Sequence, residues 1–208
     1  MARTWFGIAV VAVLSLLTVN AAAQKYEIAG SIGRMFVSDQ GVIGANPANP
    51  NVHFGDGLTY EANASRRIFD IGLVGIAVEV PFVFTPTTDL NFGSNLVPKS
   101  FRSYFVTPAA RIHLFPDTGI SPWVSVGGGF GHFSESSELE FGGTNPGSKG
   151  SSSGVFQAGV GFDVKVIPLI KIRAEFRDFY SGVPQLNVNT AKDRQHNMFV
   201  GAGVVFSF

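Results

Sequence analysis

The sequence predicts an all-β fold: an eight-stranded antiparallel up-and-down transmembrane β-barrel, preceded by a cleaved signal peptide. Three observations lead there. Apolar residues alternate with polar or small ones through eight separate segments, which is the period of a strand and not of a helix. The links between the segments alternate long and short. Glycine, 25 residues of 208, collects on the polar side of the alternation, where a narrow lumen leaves little room for side chains.

The first 23 residues read as the leader. Arg3 supplies the cation, an apolar stretch runs from Ile8 to Val19, and Ala21, Ala22 and Ala23 precede Gln24. About twelve apolar residues are too few to cross a bilayer as a helix. Residues 24–208 then form one barrel domain, with no internal repeat and no second domain.

The eight strands follow in order. "YEIAGSIGRMFV" and "LTYEANASRRIF" come first, and each has the ten or so residues a tilted strand needs to span a membrane. In "GIAVEVPFVFTP", Ile76, Val78, Val80 and Phe82 oppose Ala77 and Glu79. In "SYFVTPAARIHLF", Val106, Ala110, Ile112 and Leu114 oppose Thr107, Arg111 and His113. "SPWVSVGGGFGHF" places Gly127, Gly129 and Gly131 on one face. "SGVFQAGVGFDVKV" sets Phe156, Ala158, Val160, Phe162 and Val164 against Gln157, Gly159, Gly161, Asp163 and Lys165. "LIKIRAEFRDFY" sets Ile170, Ile172, Ala174 and Phe176 against Lys171, Arg173, Glu175 and Arg177. "NMFVGAGVVFSF" closes the series with Met198, Val200, Ala202, Val204, Phe206 and Phe208 on one side.

Short links, "DIGLV", "PDTGI" and "IP", follow the second, fourth and sixth strands. Long links at 38–57, 85–100, 134–153 and 181–196 are rich in Asn, Gly, Ser and Pro. Both termini therefore fall at the short-link end, expected to be periplasmic, with the long loops extracellular.

A soluble lipocalin-type barrel would turn its apolar face inward, whereas a membrane barrel turns it into lipid. The glycines on the polar face and a charged fraction of only 14% favour the inverted arrangement. Every backbone polar group in hydrocarbon must then be paired, which a closed barrel achieves. Tyr26, Tyr60, Tyr104, Trp123, Tyr180 and Phe208, near strand ends, are expected as interfacial anchors. Pro81, Pro108 and Pro122 each remove a ladder donor, and Arg34, Arg66 and Asp178 fall on the lipid face, where only a strand end tolerates them.

With these patterns the chain resembles the small outer-membrane β-barrel superfamily of OmpA-, OmpX- and OmpW-type proteins over residues 24–208. The terminal "GVVFSF" is similar to the β-signal of such barrels: Gly203, Phe206 and Phe208 match, while Val200 stands where a polar residue is common. The resemblance implies recognition by the barrel-assembly machinery through the last strand. It implies residence in the cell outer membrane among lipid and lipopolysaccharide. The periplasmic domain of OmpA-type proteins is not expected, since no sequence follows Phe208.

The predicted lumen carries Glu27, Glu61, Glu79, Asp163 and Glu175 against Arg67, Arg111, Lys165, Lys171, Arg173 and Arg177, with His113 nearby. Five acids facing six bases suit a mutually neutralising network, because buried ions must be paired. A plugged barrel with a structural or surface-interaction role follows, its long loops free to meet an extracellular ligand. The alternative is a narrow gated channel or an uptake pore for small or apolar solutes. A hydrolase is a further alternative: His132 and Ser134 in "GHFSESSE" resemble the His-x-Ser pair of lipid A deacylases. No catalytic residue is otherwise expected, and neither a cofactor nor a metal site, since "DQG" and "GDG" lack spaced oxygen ligands. His53 and His196 fall in predicted loops and are expected to be solvated. A net charge of zero, without basic blocks, argues against nucleic acid as a partner.

Overall fold

The structure, a computed structural model, describes residues 26–116 and 118–208; the predicted leader, 1–23, lies outside the described residues. Eleven strands run in chain order: β1 Tyr26–Val37, β2 Gln40–Gly41, β3 Asn51–Phe54, β4 Gly57–Asp70, β5 Val74–Asn91, β6 Ser100–Val106, β7 Ala109–Leu114, β8 Ile120–Glu135, β9 Ser151–Ile167, β10 Ile170–Gly182 and β11 Arg194–Ser207. All pairings are antiparallel, and β1 pairs with both β4 and β11, so the sheet closes. The remaining wall runs β4, β5, β6 with β7, β8, β9, β10 and β11. β6 and β7 occupy one wall position end to end, giving the eight positions that the alternation predicts.

The predicted fourth strand is interrupted at Thr107–Pro108, because proline cannot donate to the ladder. The interruption leaves no register slip. Val106 faces Phe82 and Phe130, Ala109 faces Glu79 and Gly127, and the pairing resumes in phase. The register shifts lie elsewhere, between Arg67 and Phe69, between Thr85 and Thr88, and between Ile170 and Lys171. All four predicted loops carry some strand, and two of them carry most of it. β2 and β3 lie within 38–57, and β5 runs on to Asn91, where it pairs with β3.

The faces divide as the alternation requires. Phe156 is 54% exposed, Phe162 47%, Ile172 52% and Val204 40%. With Ile28, Ile32, Val80, Phe82, Ile112, Val124, Val126, Val160 and Val200, they form an apolar belt around the outside. A water-soluble monomer rarely exposes a patch of more than a few hundred Å2, and here the whole circumference is apolar. That surface fits lipid.

The three charged residues expected on the lipid face, Arg34, Arg66 and Asp178, sit near strand ends with partners. Arg34 pairs with Asp56 at 2.7 Å and Asp178 with His196 at 2.7 Å, while the Arg66 guanidinium lies 5.4 Å from the Tyr26 ring centroid. His196 therefore belongs to β11 and His53 to β3, where it bonds Asp39 at 2.6 Å. Both differ from the loop placement predicted for them, although both imidazoles are exposed.

Candidate functional site

The inward face holds two layers of different chemistry. In the layer towards the short turns, the spacing of two along β10 aims Lys171, Arg173, Glu175 and Arg177 into the lumen in sequence. Arg177 is the hub. Its Nε lies 3.1 Å from Glu61 and 3.0 Å from Glu175, and its Nη1 lies 2.9 Å from Glu79. Arg111 also pairs with Glu79, and Asn63 Nδ2 donates to Glu79 Oε2 at 2.8 Å. Ser31 Oγ donates to Glu175 Oε1 at 2.6 Å.

Nearer the turns, Arg173 grips Asp163 through two parallel bonds of 2.8 Å. This fork-to-carboxylate geometry is the strongest form of ion pair. Lys171 Nζ donates to Glu27 Oε1 at 2.5 Å, and Arg173 reaches Glu27 at 3.8 Å. Removing one member of such a buried set leaves an uncompensated charge, which is why the pairs persist as a block.

Trp123 organises the cations and corrects an expectation. It is 2% exposed and lies in the lumen, not at the membrane interface. Its ring sits 4.2 Å from the Arg111 guanidinium, 5.2 Å from Arg173 and 5.1 Å from Arg177, and its Nε1 donates to Asp163 at 3.3 Å. Stacking three guanidiniums on one indole is favourable because the ring face is negative and the guanidinium is weakly hydrated. Gly161 makes room: a Cβ there would lie 2.5 Å from the indole.

Two other expected members sit apart. Lys165 is exposed at the turn-side rim, and Arg67 is buried close to that rim, where it bonds Asp70 at 3.0 Å. Both have the inward parity, but strand tilt carries their positions to the end of the lumen. His113 is buried opposite Trp123 on β7 and hydrogen-bonds none of the five acids.

The layer towards the loops is apolar. Met35, Val83, Phe101, Phe105, Phe133, Val155, Phe179 and Phe199 fill it from the wall, while Val52, Leu90, Phe92, Val97 and Leu186 close over it. Phe105 stacks on Phe179 at 5.0 Å and meets Phe133 edge-on at 5.8 Å. Gly201 leaves space for Phe199, whose ring would lie 2.3 Å from a Cβ at that position. The sequence reading places glycines and a set of paired ions on this face; the phenylalanines share its parity, which is the signal in the sequence for the apolar layer.

Above this layer the loops form a cleft of about 570 Å3 lined by Val42, Ile43, Asn46, Asn49, Phe92, Leu96 and Asn187. His132 Nδ1 bonds Ser152 Oγ at 2.7 Å, on the neighbouring strand, so its partner is not Ser134. No carboxylate hydrogen-bonds His132 among the described residues.

At the barrel seam, the three residues matched to a β-signal have distinct places. Gly203 packs against Gly30 O and Ser31 of β1, Phe206 points outward, and Phe208 stacks on Tyr26 at 6.1 Å. Reciprocal backbone bonds of 2.8 and 2.9 Å join Tyr26 and Phe208.

No family model matches the sequence, and no curated protein sequence matches it. Solved structures do. Neisserial surface protein A superposes with a TM-score of 0.53 at 19% identity, covering 89% of this chain and 99% of that one. The outer membrane protein OprG from Pseudomonas aeruginosa gives 0.52 at 11% identity, covering 89% and 96%. At these identities the likeness is one of fold, and the fold is that of the small outer-membrane β-barrels.

Proposed function

We propose that this small outer-membrane barrel is a closed, non-conducting protein of the bacterial outer membrane, with a structural or surface-interaction role exerted through its long extracellular loops. The short turns and both termini face the periplasm. The observation that carries the reading is the double filling of the lumen. Arg177 and its three carboxylates block the turn-side half, and the phenylalanine cluster under Val52, Val97 and Leu186 blocks the loop-side half. Eight strands enclose only enough space for side chains, and here side chains occupy it.

In the same reading, the outward belt meets lipid, and the terminal strand with Gly203, Phe206 and Phe208 serves as the assembly signal. The residues paired in the lumen hold the wall in register. Planar-bilayer recording on the refolded protein tests this: no single-channel steps are expected, and reproducible steps that change on substitution of Arg111 or Glu175 would overturn it.

One observation favours a second reading, uptake of small apolar solutes. Phe92 lines the external cleft and belongs to the apolar cluster beneath it, and Val42, Ala45 and Val188 line the cleft and pack on that cluster. A continuous apolar surface thus leads inward from the loops and ends at the ionic layer. Accelerated entry of a fluorescent apolar dye into vesicles carrying the protein would favour uptake over closure.

A further inference from the structure

Among the described residues, the charges of the turn-side block do not balance. Nearer the turns, Glu27 and Asp163 face Lys171 and Arg173, two acids against two cations. In the central layer Glu61, Glu79 and Glu175 share Arg111 and Arg177, three acids against two cations. The rim cations are engaged elsewhere: Arg67 pairs with Asp70, and Lys165 is exposed. The other strands add no charge at this level, where β8 contributes Trp123 and Ser125, β9 Gln157 and Gly159, and β11 Gly201. His113 lies two residues along β7 from Arg111 on the same face and hydrogen-bonds none of the acids. A proton on its ring would meet a like charge and no acceptor.

The three central carboxylates are not equivalent. Glu79 accepts from Nη1 and Nη2 of Arg177 at 2.9 and 3.2 Å and from Asn63 Nδ2 at 2.8 Å, and it pairs with Arg111 as well. Glu175 accepts from Arg177 Nε at 3.0 Å and from Ser31 Oγ at 2.6 Å. Glu61 approaches the same Nε at 3.1 Å, but that nitrogen carries a single hydrogen and Glu175 already holds it. Glu61 is 4% exposed, and both of its oxygens are buried without a hydrogen bond. An ionised carboxylate there is left short of both charge and donors, and each shortfall costs free energy away from water. Asn63 Oδ1, on the next inward residue of β4, lacks a donor too.

We propose that Glu61 is a neutral carboxylic acid in the native barrel, its proton serving as the fifth positive charge of the lumen plug. The proton removes the excess negative charge, ends the competition with Glu175 for one N–H, and gives Glu61 an O–H to donate. Solution supplies that proton, so the charge balance of the plug is set from outside the protein. Withdrawing it leaves the central layer one cation short and loosens the layer that closes the turn-side half. The inference concerns the ionic layer alone and stands whether or not the loops meet an extracellular ligand.

Infrared spectroscopy of the folded full barrel in phospholipid vesicles, with urea unfolding of the same samples, tests the assignment. At about pH 7 the wild type should show the carbonyl band of a protonated carboxylic acid, and Glu61→Gln should remove it. The unfolded chain carries Glu61 ionised at that pH, so the wild type takes up a proton on folding and the glutamine variant need not. Glu61→Gln should therefore fold at least as stably as the wild type near pH 7. The wild-type folding constant, relative to that of the variant, should fall by about tenfold per pH unit between about pH 5 and 7. Glu79→Gln and Glu175→Gln, which remove charge that the guanidiniums use, should instead lower the folding constant by about a hundredfold or more. A Glu61→Gln variant as damaged as Glu79→Gln would show an ionised Glu61 held by a guanidinium and overturn the proposal. A band that survives Glu61→Gln undiminished puts the proton on another acid, and a wild type without the band has no protonated acid in its plug, whichever variants fold. Either result overturns the proposal, whereas a protein that needs no detergent and shows no heat-dependent gel shift overturns the barrel reading itself.

Discussion

The turn-side and loop-side halves of the lumen use the same face of the same strands and fill it with opposite chemistry. On β10, Arg173 and Arg177 belong to the lower half and Phe179 to the upper. On β8, Trp123 sits among guanidiniums, whereas Phe133 sits among phenylalanines. Parity along a strand decides inside against outside, and distance along the barrel axis decides which chemistry is found there. The lower layer depends on direction, since each charge needs its partner at hydrogen-bond distance. The upper layer depends on volume, since apolar packing tolerates rotation but not voids.

The two halves should therefore break differently. Arg177→Met leaves Glu61, Glu79 and Glu175 without their shared cation, and urea unfolding in phospholipid vesicles should show a loss of about 3–5 kcal/mol. A loss under about 1 kcal/mol would mean that the pairs behave as solvated surface bridges. Phe105→Ala removes the ring shared by Phe179 and Phe133 and should cost about 3 kcal/mol, as cavity formation in a packed core does. The variant should stay silent in bilayer recordings because the ionic layer still closes the lumen.

Trp123→Phe keeps a ring under the guanidiniums but loses the weaker indole bond to Asp163, so about 1–2 kcal/mol is expected. Lys165→Ala should leave stability unchanged, whereas Lys171→Ala, which removes the nearest cation of Glu27, should lower it measurably. Equal effects of the two lysines would contradict the separation of rim from network.

Much of the fold was legible because membrane barrels carry a strict period of two. The first strand begins at Tyr26 and ends at Val37 as the alternation indicates, and the other strands differ by a few residues at their ends, most at β5. β2 and β3, with two and four residues, are too short for periodicity to register. Trp123 shows how residue type can mislead. Its parity with Ser125 and Gly127 marks it as inward, but the habit of tryptophan to sit at interfaces suggests otherwise, and parity prevailed. The apolar half of the lumen is harder to read from sequence, because Phe105, Phe133, Phe179 and Phe199 share their face with charges and glycines. The exclusion of Lys165 and Arg67 from the central network depends on strand tilt and stagger, which no single strand's sequence encodes.

The account stands on the wall being greasy outside and filled inside, and a single tryptophan can report on that directly. In protein beginning at Gln24, Trp123 is the sole tryptophan, and Phe156→Trp in a Trp123→Phe background moves the probe to the outer face. In vesicles of brominated phospholipid, emission from position 156 should be strongly quenched and emission from Trp123 only weakly. Strong quenching at 123 with little at 156 would contradict the inside-out arrangement and everything built on it.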